Sequence, residues 1–212
     1  MKKQTEPIET LSEIRSIMER STRFISLNGF AGVFAGIFAL VGAFAAYLNF
    51  RTNLIHPHYY DYATTSEGIP NLSFYIFFFT DAFLVLIASI VVAVYLSVRK
   101  SAKKGLKAWD NSAKRVIYNM SVPLVGGGLF CILIVYHGYI GLVIPVTLIF
   151  YGLALISTSK YTFDDIRYLG ICELIVGLMA TLWIDYGLLF WAFGFGVIHI
   201  VYGIIMYYKY ER

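Results

Sequence analysis

Apolar residues gather into six long runs, at about 24–50, 73–97, 120–136, 139–157, 166–184 and 187–208, separated by polar or glycine-containing connections. A hydrocarbon layer about 30 Å thick needs about 20 apolar residues in a helix, and the longer runs reach that length with one charge or none. The pattern predicts an all-α membrane protein, a single domain over 1–212, with six transmembrane helices arranged as three hairpins. The connections at His137, Gly138 and Tyr139 and at Asp185, Tyr186 and Gly187 are short enough to make antiparallel pairs of spans three and four and of spans five and six.

Two further stretches carry helical periodicity outside the runs. Thr10 followed by Glu13 is a capping-box pattern, and Leu11, Ile14, Ile17, Met18, Phe24 and Ile25 recur on one face. This predicts an N-terminal interfacial helix leading into the first span. Residues 99–119 predict a basic cytoplasmic helix between spans two and three, with Leu106, Trp109, Ala113, Val116 and Ile117 on one side, seven Lys or Arg against the single acid Asp110, and Gly105 placed to divide or hinge it. Such a surface suits anionic lipid headgroups or a cytoplasmic protein.

Composition reinforces the membrane reading. Hydrophobic residues make up 58% of the 212 residues, more than a soluble domain of this length can bury, so the lipid bilayer must solvate the excess. Charge then sets the orientation. Of the 17 Lys and Arg residues all but Arg51 lie before span one, between spans two and three, between four and five, or after six. The positive-inside rule therefore places both termini in the cytoplasm. That asymmetry accounts for the basic balance, and no feature points to direct nucleic-acid binding.

Close helix packing in lipid is marked by small residues. Gly29, Gly32, Gly36, Ala39, Ala43 and Ala46 form a seam along span one; Gly170 and Gly177 mark span five, and Gly196 and Gly203 mark span six. Gly126, Gly127 and Gly128 predict a similar contact in span three. A homo-oligomer is compatible with such seams. Cys131 and Cys172 lie inside spans at depths differing by roughly 9 Å by helical rise, which predicts no disulfide between them.

Candidate chemistry rests on three ionisable residues well inside the runs, Asp81, Glu173 and His199. Glu173 lies thirteen residues before Tyr186 in the turn and His199 thirteen after it, so the two reach equal depth on adjacent helices and are expected to touch. The contact reads either as a structural clamp or as a proton or cation site. Asp81 lies roughly 12 Å below the outer surface by helical rise and is a candidate for a polar vestibule. His56, His58 and Asp61 in the outer loop are weak metal candidates whose spacing matches no established zinc pattern. No cofactor is expected. The chain lacks the phosphate-cradling loop, HExxH, GxSxG and CxxC patterns, and no enzymatic activity is expected.

Segments at 105–110 (GLKAWD), 123–130 (PLVGGGLF), 148–155 (LIFYGLAL), 167–170 (RYLG), 187–191 (GLLFW) and 206–212 (MYYKYER) carry a resemblance over nearly the whole chain. On them the chain resembles a family of small six-span bacterial inner-membrane proteins with no assigned activity. The resemblance implies topology and a bacterial inner membrane, and transfers no functional residue. The expectation is a non-enzymatic membrane protein of regulatory or stress-related role. The alternative is a small transporter or channel for a proton, ion or small solute using Asp81, Glu173 and His199.

Overall fold

The computed structural model describes residues 28–50, 59–103, 105 and 109–212. The expected N-terminal interfacial helix lies outside these residues, as do His56 and His58. The described chain is helical, with α1 (Gly29–Phe50), α2 (Leu72–Lys103), α3 (Asn111–Tyr136), α4 (Val143–Thr158), α5 (Asp165–Leu182), α6 (Gly187–Trp191) and α7 (His199–Tyr210). A π-helical segment, Ala192–Ile198, joins α6 to α7.

Among the described residues, five helical stretches are long and apolar enough to cross a membrane: Gly29–Phe50, Leu72–Lys103, Asn111–Tyr136, Ile140–Tyr161 and Ile184–Tyr210. The remaining long helix, α5, has 18 residues and carries three charged side chains, Asp165, Arg167 and Glu173. The outward surface is strongly apolar. In the most hydrophobic stretch of α2 no residue is buried against protein, and Phe83, Leu84, Ile87, Ile90 and Val91 are exposed. Water would oppose that exposure; lipid accommodates it.

The helices form two packed groups. In one, α3 rests on α4 and α4 on α5; in the other, α2 rests on α1 and α1 on α7. The π segment joins the groups by touching α1, α5 and the helices on either side of it. Glycines permit the closest approaches. A Cβ at Gly203 would lie 2.6 Å from Gly29 O and from Val33 N, and one at Gly152 would lie 2.6 Å from Gly170 O. These contacts are backbone to backbone, so a side chain at either position must force the helices apart.

Three expectations need correction. Residues 99–119 do not form one basic helix: α2 continues through Lys103, Gly105 turns with φ +65°, and α3 begins at Asn111. The reason is local, because Asp110 caps α3 by accepting from Ala113 N at 2.7 Å, which starts the third span nine residues before its apolar run. The 187–208 run is not one regular helix but is interrupted by the π segment. Finally, Gly127 packs against Phe150, whereas nothing stands within 4 Å of a Cβ at Gly126 or Gly128, so only one glycine of that triplet makes a close contact.

Polar contacts tie the two ends of the bundle. At the end that carries the C-terminus, Lys100 meets Glu211 at 3.1 Å, and the same carboxylate oxygen accepts from Gly29 N at 2.5 Å. Lys209 and Tyr210 both reach Asp165, at 2.8 and 2.6 Å. At the opposite end, the 3-10 turn Tyr59–Ala63 inserts Tyr59, 1% exposed, which donates to Gly141 O at 3.2 Å, while Tyr60 donates to Asp185.

Candidate functional site: a buried tyrosine, histidine and glutamate

The expected meeting of Glu173 and His199 is present in the structure. His199 Nδ1 lies 3.2 Å from Glu173 Oε1; the glutamate is 0% exposed and the histidine 5%. Proximity here does not amount to an aligned hydrogen bond, because neither Glu173 oxygen has a hydrogen-bond partner. The imidazole is held by two other groups. Its Nδ1 pairs with Gly194 O at 3.1 Å, and its Nε2 pairs with Tyr151 Oη at 2.8 Å.

Tyr151 is the member that inspection for charged residues passed over. It lies thirteen residues after Gly138, the same count that separates Glu173 and His199 from Tyr186, so depth alone could have identified it. Its ring also stacks obliquely between its neighbours, with centroids 5.2 Å from Phe195 and 5.4 Å from His199.

The glycines reach this arrangement by a different route from the one their spacing suggested. The small face of α5 turns to α4: Cβ atoms at Gly170 and Gly177 would strike Gly152 O at 2.7 Å and Ile149 N at 2.8 Å. The small face of the last span turns to α1: a Cβ at Gly36 would lie 2.5 Å from Gly196 O, one at Gly196 would strike Leu40, and Gly32 abuts Gly203. Glu173 and His199 therefore do not meet across two facing small seams. They meet beside them, in the angle between α4, α5 and the π segment. Gly194 completes that angle, since a Cβ there would come 2.6 Å from Leu148 Cδ2 and 2.7 Å from Glu173 Oε2. π-helical turns recur where a helix must open to admit a functional side chain, and this one admits a carboxyl.

Asp81 is elsewhere. Its carboxylate lies over Gly42 of α1, 3.1 Å from the place a Cβ would occupy, and it lines a cavity of about 30 Å³ with Tyr59, Ile144, Leu188 and Trp191 among others. That cavity includes neither Glu173 nor His199. A larger cavity of about 850 Å³ opens at the same end of the bundle, bordered by Tyr60, Asp61, Tyr75, Tyr139, Trp183 and Asp185. Asp61 is exposed, and among the described residues no group of three or more His, Cys, Asp or Glu side chains could hold a metal ion.

Cys131 is buried and Cys172 exposed, and both are free thiols. Comparison with family models, with curated proteins and with solved structures returns no match for this chain.

Proposed function

We propose that this chain is a non-enzymatic protein of the bacterial inner membrane, crossing it six times with both termini cytoplasmic, and that a proton held at Glu173 regulates the packing of its last helices. The observation that carries this reading is a wholly buried carboxyl group with no hydrogen-bond partner, 3.2 Å from an imidazole that bonds elsewhere. A clamp selected for stability would align the imidazole N–H with the carboxylate. Leaving a buried carboxyl unsatisfied costs at least about 1–3 kcal/mol, and an intramembrane position adds to that cost. Such a group is better suited to exchange a proton than to brace a helix pair.

A regulatory role follows from where the group sits. Gain or loss of a proton at Glu173 changes the charge at the junction of the two helix groups, where the π segment touches α1 and α5. A stress-related response to acid is the simplest use of that coupling. Arg99, Lys103, Lys114 and Arg115 are exposed at the C-terminal end of the bundle and form a surface for anionic headgroups or a cytoplasmic protein. The alternative, a small transporter or channel for a proton, ion or small solute, draws support from the outer cavity and from Asp81 beneath it.

Infrared difference spectroscopy across a pH step tests the proton site. A carboxyl C=O band should appear in the wild-type protein and vanish in Glu173→Gln with the unfolding transition retained. A spectrum identical in the two proteins would overturn the reading. Cysteine labelling after removal of Cys131 and Cys172 tests the topology. Position 60 should label from the periplasm, and positions 5, 104 and 211 only after permeabilisation; periplasmic labelling at 104 would reverse the orientation.

A further inference from the structure

Tight turns come together at the end of the bundle opposite the C-terminus. The 3-10 turn Tyr59–Ala63 touches the turn Ile140–Leu142 that leads into α4, and that turn touches Ile184–Tyr186 between α5 and α6. Two hydrogen bonds tie the first turn to the others: Tyr59 donates to Gly141 O at 3.2 Å, and Tyr60 donates to Asp185. The cavity of about 850 Å³ opens beside these ties, within the size range of small-molecule sites.

Its border is aromatic and acidic. Tyr60 comes from the first turn, Tyr75 from the start of α2, Tyr136 and Tyr139 from the connection between α3 and α4, and Trp183 from the connection between α5 and α6. Interfacial aromatic residues ordinarily spread around a bundle as a belt, whereas these border one cavity. Neighbouring rings hold several of them in place. Tyr60 stands edge-on to Tyr59 at 5.7 Å, Tyr75 edge-on to Phe74 at 5.5 Å, and Trp183 stacks on Phe190 at 6.5 Å. Tyr60 also lies over Gly141, where a Cβ would come 3.4 Å from its Cδ1.

Asp61 and Asp185 supply the charge, and among the described residues no Lys, Arg, His, Asn or Gln side chain borders the cavity. That composition selects the ligand. Two carboxylates repel an anion, and a sugar would find few of the paired donors and acceptors that its hydroxyls need. A hard metal ion needs several converging oxygen ligands, and among the described residues no such group of acids is present. A bulky ammonium needs none of these. It is drawn to the negative faces of aromatic rings and to a nearby carboxylate, and its alkyl groups suit an apolar wall such as Ile140, Leu142 and Leu182.

We infer that the outer cavity binds an organic cation of the alkylated-ammonium class, held by Trp183 and the tyrosine rings and attracted by Asp61. Asp185, engaged by Tyr60, fixes the wall and adds negative charge. The site stands apart from the reading of Glu173 as a proton site, since neither Glu173 nor His199 borders the cavity.

The test is calorimetric titration of the full-length chain in uncharged maltoside micelles with choline and with dimethylbutanol, which has carbon in place of the quaternary nitrogen at the same size. Choline should bind about tenfold more tightly or better, because charge alone distinguishes the two probes. Trp183→Leu should weaken choline binding by about tenfold, and Trp183→Phe, which keeps a ring, by less. Asp61→Asn should weaken it by about threefold through lost attraction. Asp61 is exposed, so that variant retains the fold even where loss of the indole disturbs its turn. Phosphatidylcholine added to the micelles identifies the source of the cation: displacement of choline makes a lipid headgroup the occupant, and continued choline binding makes it a free solute. Equal affinity for the two probes, no measurable choline binding, or choline affinity unchanged by either Asp61→Asn or Trp183→Leu would overturn the cation site.

Discussion

Two carboxyl groups lie inside apolar helices of this chain, and the bundle treats them differently. Glu173 is enclosed by α4, α5 and the π segment, has no exposure, and stands beside an imidazole. Asp81 projects from α2, a helix whose most hydrophobic stretch is exposed; it lies over the glycine side of α1 and lines a cavity with room for a water, bordered also by Tyr59, Ile144, Leu188 and Trp191. Both are single acids in apolar runs of the sequence. Their surroundings separate them: Glu173 is fully buried beside an imidazole, whereas Asp81 is partly buried beside a cavity. A fully enclosed carboxyl can change how helices pack when it gains a proton, whereas a partly buried one beside a cavity can be hydrated without disturbing the fold.

The sharpest break of that contrast is at the glycines that make room for each acid. Gly194→Ala places a methyl 2.6 Å from Leu148 and 2.7 Å from Glu173, both of them fully buried, and should cost about 1–3 kcal/mol of stability in detergent unfolding. Gly42→Ala meets the movable ends of Val85 and Asp81 at 2.6 and 3.1 Å and should cost less than about 1 kcal/mol. Equal losses would mean that the two sites are equally rigid.

Removing the acids themselves should give effects of opposite sign. Glu173→Leu removes the carboxyl 3.2 Å from His199 Nδ1 but leaves the imidazole its bonds to Gly194 and Tyr151, so the loss should fall at the low end of the range for intramembrane polar contacts, about 0.5 kcal/mol, with Glu173→Gln milder. Asp81→Leu removes a polar group without stranding a partner and should leave thermal unfolding unchanged or raise its midpoint. A clear destabilisation by Asp81→Leu would place a structural partner at that site.

The smallest effect concerns the outer rim above Asp81. The hydrogen bond that Tyr60 donates to Asp185 raises its phenol to about 12, with burial and the nearby acids adding to the shift. An acid whose folded value is raised contributes stability that is fully present below its ordinary value near 10 and is lost as pH rises through the folded one. Wild type should therefore lose a small increment of stability between about pH 10 and 12 that Tyr60→Phe lacks. Parallel pH profiles for the two proteins would show that this tether adds nothing.

Much of the architecture is legible along the chain because lipid imposes a simple rule: backbone polar groups must be satisfied within each helix, so apolar length reports helices directly. The Glu173 and His199 meeting was legible for a related reason, since a tight turn fixes the depth of residues counted from it. Tyr151 obeyed the same count but carries no charge to draw attention to it. The start of α3 was hidden because Asp110, a capping residue, outweighs the basic composition that follows.

What the sequence determined by itself is the helical type of the long apolar elements, the asymmetry of basic residues along the chain and the depth of polar residues counted from a tight turn, all of which depend on position along one helix. Which faces meet was decided only in three dimensions. The glycines of α5 turned to α4 and those of the last span to α1, and a π turn at Ala192–Ile198 opened the space that Glu173 fills. Helix faces are set by packing among several partners at once, and a periodicity of 3.6 names a face without naming its neighbour.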